Sequence, residues 1–349
     1  MGQQPAERPY RRDDSRARPA DIRPPQQGAF RQGFARHYAA LDLGTNNCRL
    51  LIARPQGDGF AVVDAFSRIV RLGEGLATSG RLSDAAIERT IAALRICADK
   101  LKRRNVTLAR SVATEACRRA SNGAAFIDRA LQETGIHLDV ISAEEEARLA
   151  VLGCHVLLEP GDAPALVFDI GGGSTELVLI DTGATVPTVI DWHSAPWGVV
   201  SLTESVAGST GSAPLAAVYD RMRALVRESF APFAARLPDF DGPRRLLGTS
   251  GTVTTLASVH LGLDRYDRAQ VDGLIAPADS MRRISQKLAH LSLEERAALP
   301  CIGRERADLV VAGCAILETI LDLWPADRLG IADRGIREGI LRRLMATGR

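Results

Sequence analysis

The sequence predicts an α/β protein built from two similar halves. Apolar strand-like runs alternate with helical segments along most of its 349 residues, as in layered α/β domains. One order of elements, strand, glycine-containing turn and second strand, occurs twice, with Asp42 and Asp169 at the equivalent strand ends. The repetition indicates two domains, 38–159 and 160–349, and the length of the chain agrees with two domains.

Hydrophobic spacing and turn residues define the elements of the first half, where order is expected to begin at Tyr38. Ser83 is suited to cap a helix, because Ile87, Ile91 and Leu94 follow with the 3.6-residue period of one helix face. In chain order we expect two strands within 38–55, a third within 59–73, the helix after Ser83, a strand at 106–114, a helix ended by Gly135, a short strand at 138–142 and a helix from Ala143 to about Leu158.

The second half restarts the pattern after Pro160 and Gly161, two residues typical of a break between elements. In chain order we expect two strands within 165–181, a third strand within 185–198, helices near 199–206 and 214–236, a strand at 244–249 entering a glycine turn, helices at 252–261, 279–291 and 304–323, a strand at 328–333 and a helix at 336–345.

The first 37 residues are predicted to be a disordered tail. They hold eight arginines, several prolines and glutamines, and too few apolar residues to offset the entropy lost on ordering. Four carboxylates leave the tail with a charge of +4, so contact with a polyanion or RNA is the alternative to a solvated tail. The apolar segment of a signal peptide is missing from it.

Composition argues against several classes of protein. The net charge of +2 gives no case for a specific nucleic acid or a membrane partner, and no apolar run reaches the ~18–20 residues of a membrane span. Six cysteines lie scattered, without C-x-x-C pairs or metal-ligand spacing, which favours free thiols in a reducing cytoplasm. We therefore expect a cytoplasmic protein, with a homodimer as the default oligomeric state.

Three glycine-rich turns are candidates for binding phosphate. Such a turn directs backbone N–H groups into one concavity that no Cβ obstructs, and this geometry binds anions. A tight hairpin without a ligand needs only one or two glycines, so it explains three in a row poorly. The candidate phosphate-binding residues are Gly44, Thr45, Asn46 and Asn47, then Gly171, Gly172, Gly173, Ser174 and Thr175, and finally Gly248, Thr249, Ser250 and Gly251.

An aspartate precedes each of the first two turns. Asp42 and Asp169 repel a bare phosphate, so a divalent cation or an ordered water is expected between carboxylate and phosphate. The turns have neither the spacing of a P-loop nor that of a dinucleotide-binding turn. The sequence therefore predicts phosphate binding in a cleft between the two halves.

Eight blocks of the sequence carry a resemblance to one family. They are LDLGTNNCRLLIA (41–53), RLGEGLATSGRLS (71–83), VATEACRRASN (112–122), ISAEEEARL (141–149), VFDIGGGSTELVL (167–179), LLGTSGTVTTLA (246–257), LSLEERAALPCIGRERADLVVAGCAIL (291–317) and ADRGIREGIL (332–341). In these blocks the chain resembles the exopolyphosphatase/guanosine pentaphosphate phosphohydrolase family, within the superfamily of actin, the heat-shock chaperone ATPases and the sugar kinases. The resemblance implies two ribonuclease H-like, actin-like domains with an interdomain cleft, in the short two-domain form. One departure is Pro196-Trp197-Gly198, where family members usually have P-L-G.

The resemblance also implies hydrolysis of a terminal phosphoanhydride, with Glu146 matching the family's catalytic base. Leu149 and Leu152 put Glu146 near the apolar face of its predicted helix, where an unpaired carboxylate is costly. Glu145 is the alternative base, although helix-dipole stabilisation explains an acidic residue in a first turn without catalysis. Arg118 matches a family arginine that neutralises phosphate, and an exposed helix arginine is the alternative.

A metal ion, Mg²⁺ or Mn²⁺, is implied in the same way. Asp169 and Glu176 match metal-associated carboxylates of the family, and Asp42 is expected to face Asp169 and share the ion. The alternatives are a side chain that caps its own turn for Asp169 and a solvent-facing strand residue for Glu176.

The leading functional hypothesis is an exopolyphosphatase that releases orthophosphate from linear polyphosphate. A guanosine pentaphosphate phosphohydrolase is the closest alternative, because both activities need the same turns and the same base. A phosphate or nucleotide sensor without catalysis, and a kinase of the same superfamily, are the remaining alternatives.

Overall fold

The structure is a computed structural model that describes residues 36–161, 163–184, 186–207, 215–238 and 243–347, and from Arg36 onward these form one compact unit. Of the tail predicted for residues 1–37, residues 1–35 lie outside the described residues, and the first strand begins at His37.

The strands are β1 (His37–Leu43), β2 (Asn47–Gln56), β3 (Gly59–Ile69), β4 (Val106–Ala113), β5 (Asp139–Val140), β6 (Ala165–Ile170), β7 (Thr175–Asp181), β8 (Thr188–Ala195), β9 (Arg245–Thr249), β10 (Ile275–Pro277) and β11 (Arg328–Ala332). The helices are α1 (Leu76–Ser79), α2 (Asp84–Arg103), α3 (Glu115–Arg119), α4 (Gly123–Thr134), α5 (Ala143–Cys154), α6 (Val199–Ala207), α7 (Leu215–Ala234), α8 (Gly251–His260), α9 (Arg268–Val271), α10 (Ala278–His290), α11 (Leu293–Ala298), α12 (Val310–Leu323) and α13 (Ile336–Thr347).

The first sheet has the strand order β3-β2-β1-β4-β5, in which β1, β2 and β3 are antiparallel and β4 and β5 run parallel to β1. Helices α2 and α4 cover one face, where Leu41 and Leu50 pack with Ile91 and Phe126. The predicted helix ends are confirmed: the Ser83 hydroxyl accepts a hydrogen bond from the N–H of Ala86, and Gly135 ends α4 in the left-handed conformation.

The second sheet repeats this plan. Its order is β10-β11-β9-β6-β7-β8, so β6 to β8 correspond to β1 to β3, and β9 and β11 correspond to β4 and β5. The short antiparallel strand β10 is an addition at the edge. Phe168, Phe230 and Trp324 belong to the core between this sheet and its helices. The matching topology confirms the predicted duplication.

Helices α5 and α13 join the two halves. Ile336 and Ile340 of α13 pack with Ala40 of the first sheet, although α13 comes last in the chain. In α5, Val151 packs with Val167 of the second sheet. The domain boundary predicted between residues 159 and 160 stays a prediction, and α13 packs across it.

Glycines bring α5 and α13 into close contact. A Cβ on Gly153 would overlap the carbonyl oxygen of Gly335, and a Cβ on Gly339 would overlap that of Leu149. Since α13 begins directly after the β11 strand end, this contact fixes the first turn of α13 close to α5.

Two local differences separate structure from expectation. The helix predicted at 304–323 begins only at Val310, because residues 304–309 form turns that still bury Ala307 and Leu309. The short elements α1, α3, α9, α11 and β10 were not expected, since three to six residues give too little periodicity to detect. None of the helices in the described part of the chain combines the length and apolar character needed to cross a membrane.

Candidate active site

A cleft of about 140 Å³ lies between the two halves, and residues of both halves line it. The turns after β1, β6 and β9 meet there, as does the start of α5. The predicted site residues in its lining are Asp42, Gly44, Thr45, Asn46, Asn47, Glu146, Asp169, Gly171, Gly172, Gly173, Ser174, Thr249, Ser250 and Gly251. The structure therefore brings together most of the residues that the sequence predicts.

The first two turns contact each other across the cleft. A Cβ on Gly172 would lie 3.0 Å from the backbone nitrogen of Asn46, and a Cβ on Gly173 would lie 2.6 Å from Oγ1 of Thr45. Neither glycine has a left-handed backbone, so the reason for glycine here is the close approach of the two turns.

The third turn ends at a helix N-terminus. Ser250 precedes α8 with a φ of 98°, which is unusual for a residue other than glycine. Its hydroxyl is buried, and no other group in the described residues forms a hydrogen bond with it. The turn thus presents an unpartnered hydroxyl together with the free N–H groups of a helix start, which favours an anion.

Two half-buried aspartates lie at the strand ends beside these turns. The pKa of Asp169 is raised to about 6, mainly by burial and also by the charge of Asp42, while Arg49 lowers it. Burial also raises the pKa of Asp42, while Arg49 and Arg337 oppose that rise. The charge of Asp42 therefore acts on Asp169, as expected for residues that face one another across a cleft.

Glu146 is the carboxylate of α5 that faces the cleft. It is 7% exposed, and burial raises its pKa well above the usual range; Glu176 adds to the rise and Arg118 opposes it. Glu145 instead accepts hydrogen bonds from Arg110 at 2.8 Å and Arg343 at 3.4 Å, away from the lining. The geometry favours Glu146 over Glu145 as the base.

Arg118 lies outside the lining of the cleft and holds Glu146. Its Nη1 and Nη2 atoms each donate to Oε2 of Glu146 at 3.3 Å, and Nη2 donates to Glu115 at 2.5 Å. Nη1 also donates to the carbonyl oxygen of Ile141 at 2.7 Å. Arg118 thus contacts the carboxylate predicted to act as base, whereas the sequence predicted contact with phosphate.

Three further predicted residues also lie outside the lining. Glu176 is 2% exposed, and its Oε1 accepts hydrogen bonds from the hydroxyls of Ser174 at 2.7 Å and Ser194 at 3.0 Å. The Thr175 hydroxyl donates to the carbonyl oxygen of Trp197 at 2.6 Å. A Cβ on Gly248 would overlap the ring of Phe168, so core packing explains this glycine.

Four arginines of the lining were not predicted as site residues: Arg49, Arg306, Arg334 and Arg337. Arg49 interrupts the buried strand β2. A charged residue among buried apolar neighbours could have identified it as a candidate site residue. Arg337 lies in the first turn of a helix that follows a strand, as Gly251 does. This shared position could have identified Arg337 as a candidate site residue.

A cage of protein ligands for a metal ion is absent from the described residues, where no three His, Cys, Asp or Glu side chains are grouped to hold one. Asp42 and Asp169 fit a Mg²⁺ ion that takes one or two carboxylates and fills its other positions with water and phosphate. Oδ1 of Asp42 is buried with no hydrogen-bond partner among those residues, so it remains available as a ligand atom.

Comparison with known proteins supports one family. The model of the Ppx/GppA phosphatase family matches residues 51–347. Exopolyphosphatase 2 of Mycobacterium tuberculosis is 34% identical over 316 residues, which cover 86% of this chain and 96% of that protein. The crystal structure of the Aquifex aeolicus member of the Ppx/GppA family is 28% identical, with a TM-score of 0.73 over 90% of this chain and 99% of that chain.

The fold extends to a more distant relative. An exopolyphosphatase from Cytophaga hutchinsonii shares it at 24% identity, with a TM-score of 0.78 over 89% of this chain and 98% of that chain. The predicted fold class, two similar α/β halves around a cleft, is confirmed, and so is the predicted class of a phosphoanhydride hydrolase. With its duplicated sheets, its glycine turns and the match over residues 51–347, the chain belongs to the Ppx/GppA phosphatase family.

Proposed function

We propose that this protein is an exopolyphosphatase, which hydrolyses the terminal phosphoanhydride of linear polyphosphate and releases orthophosphate. The observation that carries the proposal is the position of Glu146, a buried carboxylate at a cleft lined by three glycine-containing turns. The exopolyphosphatase from Mycobacterium tuberculosis, at 34% identity, supports the same substrate class.

Glu146 is the general base. A carboxylate whose pKa is raised by burial is, once ionised, a stronger base than an exposed one. Arg118 orients this carboxylate through its two hydrogen bonds and favours its ionised form. In this role Glu146 orients a water molecule toward the terminal phosphorus and accepts a proton as the water attacks.

The three turns hold the phosphate chain. Backbone N–H groups of the three turns provide donors without the flexibility of long side chains. Those of Gly44 and Gly171 are excluded, because they already donate to the carbonyl oxygens of Asn47 and Ser174. The Ser250 hydroxyl supplies a further donor, since it is buried at the cleft without a partner in the described chain. These contacts fix the phosphorus relative to Glu146.

A divalent cation, Mg²⁺ or Mn²⁺, is part of the proposal, with Asp42 and Asp169 as the residues that would hold it. When bound, such an ion neutralises charge on the phosphate oxygens. Glu176 is assigned a different role, because it lies outside the lining of the cleft and its charge raises the pKa of Glu146.

The lining favours polyphosphate over guanosine pentaphosphate. In the described residues it contains no Phe, Tyr or Trp, so no aromatic ring is available to stack on a guanine base. Its apolar members are Ile170, Val199, Leu309, Val310 and Ile336. A cleft that carries four arginines and no aromatic ring among its described residues suits a substrate made only of phosphate.

Cytoplasmic location and a homodimer belong to the proposal as well. All six cysteines are free thiols, and five of them are buried, which suits a reducing compartment. Light scattering on the purified chain measures the oligomeric state directly, and a monomer would contradict the homodimer.

The test is orthophosphate release from long polyphosphate, short polyphosphate and guanosine pentaphosphate. We expect release from polyphosphate, and we expect Glu146→Gln to lower kcat by about 10²–10⁴-fold because the base is lost. Glu145→Gln is the matched control, one residue away on the same helix, and should stay within about 2-fold of wild type.

Three outcomes would contradict the proposal. If Glu146→Gln matched wild type, the base would be misassigned. Faster release from guanosine pentaphosphate than from polyphosphate would favour the nucleotide substrate. Release from no substrate would favour a sensing protein without catalysis.

A further inference from the structure

The segment between β3 and α1 is hydrogen-bonded to the first glycine turn. The N–H groups of Val70 and Arg71 both donate to the carbonyl oxygen of Asn46, at 2.9 Å and 3.0 Å. The N–H of Gly73 donates to the carbonyl oxygen of Thr45 at 2.9 Å. Because Thr45 and Asn46 line the cleft, the position of this segment determines the position of the turn.

The side chain of Arg71 extends from this segment to the second half of the molecule. Its Nη1 atom lies 3.0 Å from Oδ2 of Asp308, and its Nη2 atom donates to Oδ1 of the same carboxylate at 3.3 Å. Nη2 also donates to the carbonyl oxygen of Glu305 at 3.3 Å. This connection between the halves involves neither α5 nor α13, so it is separate from the contact that those helices make.

The part of the second half that Arg71 contacts also contributes residues to the cleft. Asp308 comes two residues after Arg306 and directly before Leu309, and both of these neighbours line the cleft. Arg306 donates to Oγ1 of Thr255, a lining residue of α8, at 3.1 Å. The first glycine turn is therefore connected through Arg71 to cleft residues of the second half.

The backbone of Arg71 has an unfavourable conformation for an arginine. Its φ of 49° lies in the left-handed region, which glycine and asparagine adopt more readily. The turn alone would favour one of those residues, so an arginine at this position indicates a requirement for its side chain. The ion pair is accessible to water, with 33% of the Arg71 side chain and 36% of the Asp308 side chain exposed, and such pairs contribute little to stability. Stability therefore does not explain the arginine.

We propose that Arg71 and Asp308 are positioning residues, whose ion pair aligns the first glycine turn with the cleft residues around Arg306. Both side chains lie outside the lining, so they act through the backbone segments that carry them. A phosphate chain held by both halves needs this alignment, because small displacements of positioned groups slow a reaction strongly. The kinetic part of this inference rests on the proposed function, whereas the contact between the halves does not.

Amide hydrogen exchange of the full chain, measured by mass spectrometry, tests the contact without turnover. The N–H groups of Ala307 and Leu309 are hydrogen-bonded within the turns of the second half. Arg71→Asn keeps a residue suited to the left-handed backbone and removes the guanidinium group. We expect exchange in the peptide that covers 303–310 to become about 3-fold faster, since losing an exposed ion pair makes local opening easier. Unchanged exchange in that peptide would overturn the proposal.

Glu74→Gln is the matched control. Glu74 lies in the same segment as Arg71, and it forms an ion pair with Arg89, at 2.7 Å, within the first half. Loss of this pair should leave both the exchange of 303–310 and kcat unchanged. Equal effects of Glu74→Gln and Arg71→Asn would show that any lost ion pair loosens the segment, and the role of Arg71 between the halves would be rejected.

Orthophosphate release from polyphosphate connects the contact to the reaction. We expect Arg71→Asn and Asp308→Asn each to lower kcat by about 10-fold through misalignment, while the midpoint of thermal unfolding stays within about 2 °C of wild type. A loss of activity that came with a much lower midpoint would contradict positioning, because reduced stability would then explain it.

Exchanging the two charges tests whether the residues act as a pair. Arg71→Asp and Asp308→Arg each bring like charges together, whereas the double variant restores an ion pair of reversed polarity. We expect kcat of the double variant to exceed that of either single variant by about 5-fold, and losses that simply add would overturn the proposal. If polyphosphate were not hydrolysed while exchange in 303–310 still depended on Arg71, the proposed function would fail and the contact between the halves would stand.

Discussion

The two glycine hairpins share one backbone plan and differ in charge at one matched position. Asp42 pairs across its hairpin with Arg49, and Asp169 pairs across the equivalent hairpin with Glu176. The duplicated fold therefore supplies two similar turns, while the second strand of each hairpin decides the electrostatic character of its wall. The first wall is cationic and suits phosphate; the second is acidic and keeps carboxyl groups partly protonated.

The acidic wall acts on the base. Glu176 contributes more than Asp42 or Asp169 to the raised pKa of Glu146, and burial of Glu176 raises its own pKa as well. Arg118, from the first half, acts in the opposite direction. The protonation of Glu146 thus depends on residues from both halves, so a change on either side should alter the pH dependence of the reaction.

The largest expected effect is at the contact between the two turns. A methyl group in Gly173→Ala would meet Oγ1 of Thr45 at 2.6 Å and Cγ of Glu115 at 2.9 Å, so these side chains and the turn that carries Thr45 must shift. We expect kcat/KM for polyphosphate to fall by about 100-fold or more, as for a displacement of about 1 Å among positioned groups.

Gly44→Ala in the first hairpin is the matched comparison. A Cβ there would lie 3.6 Å from the carbonyl oxygen of Asn47, an ordinary contact, so activity should fall much less. Equal losses in the two variants would mean that the turns do not need their close contact.

The turns and their aspartates could be predicted from the sequence, because both signals are local. Three consecutive glycines directly after an apolar strand that contains Asp169 are typical of a turn that binds an anion, and the same order of residues identified Asp42. The contact of Gly153 with Gly335 could not be predicted, since it joins segments distant in the chain and follows no periodicity. For this reason the position of Arg337 at the cleft was not expected either.

The roles of individual charged residues were harder to predict from the sequence than the positions of the turns. A strand pattern indicates which face a side chain occupies but not whether a neighbour already binds it. Glu176 shows this limit, because the serine hydroxyls that donate to its Oε1 come from the preceding turn and from strand β8. Arg118 shows it too, since its partners Glu115 and Glu146 lie on two different helices.

The aspartates of the two hairpins should differ in their effect on stability. The pKa of Asp169 is raised from its usual 3.8 to about 6, so the folded state loses stability as pH rises from about 4 through about 6. Asp169→Asn removes this loss and should stabilise the metal-free protein by up to about 3 kcal/mol at pH 7.5, with the gain shrinking toward pH 4.

Asp42→Asn should stabilise the protein less than Asp169→Asn does, or destabilise it. Arg49 and Arg337 favour the ionised form of Asp42, and in the variant these two arginines would lack a neighbouring carboxylate. Urea unfolding in the presence of a chelator, from about pH 4.5 to about pH 8, measures both variants. A gain for Asp169→Asn that did not change with pH would contradict the raised pKa.

The smallest expected effect is a shift in the acid limb of the pH profile of kcat/KM, where Glu146 ionises in the free enzyme. Glu176→Gln removes a neighbouring negative charge, so the limb should move toward lower pH. Arg118→Gln removes the opposing positive charge and should move the limb toward higher pH, whatever its effect on kcat. Because Glu146 and Glu176 titrate as a pair, the measured value belongs to both carboxyl groups, but the two shifts must still have opposite signs. Shifts in the same direction would show that another group controls the acid limb, and the acidic second wall would then have no effect on the base.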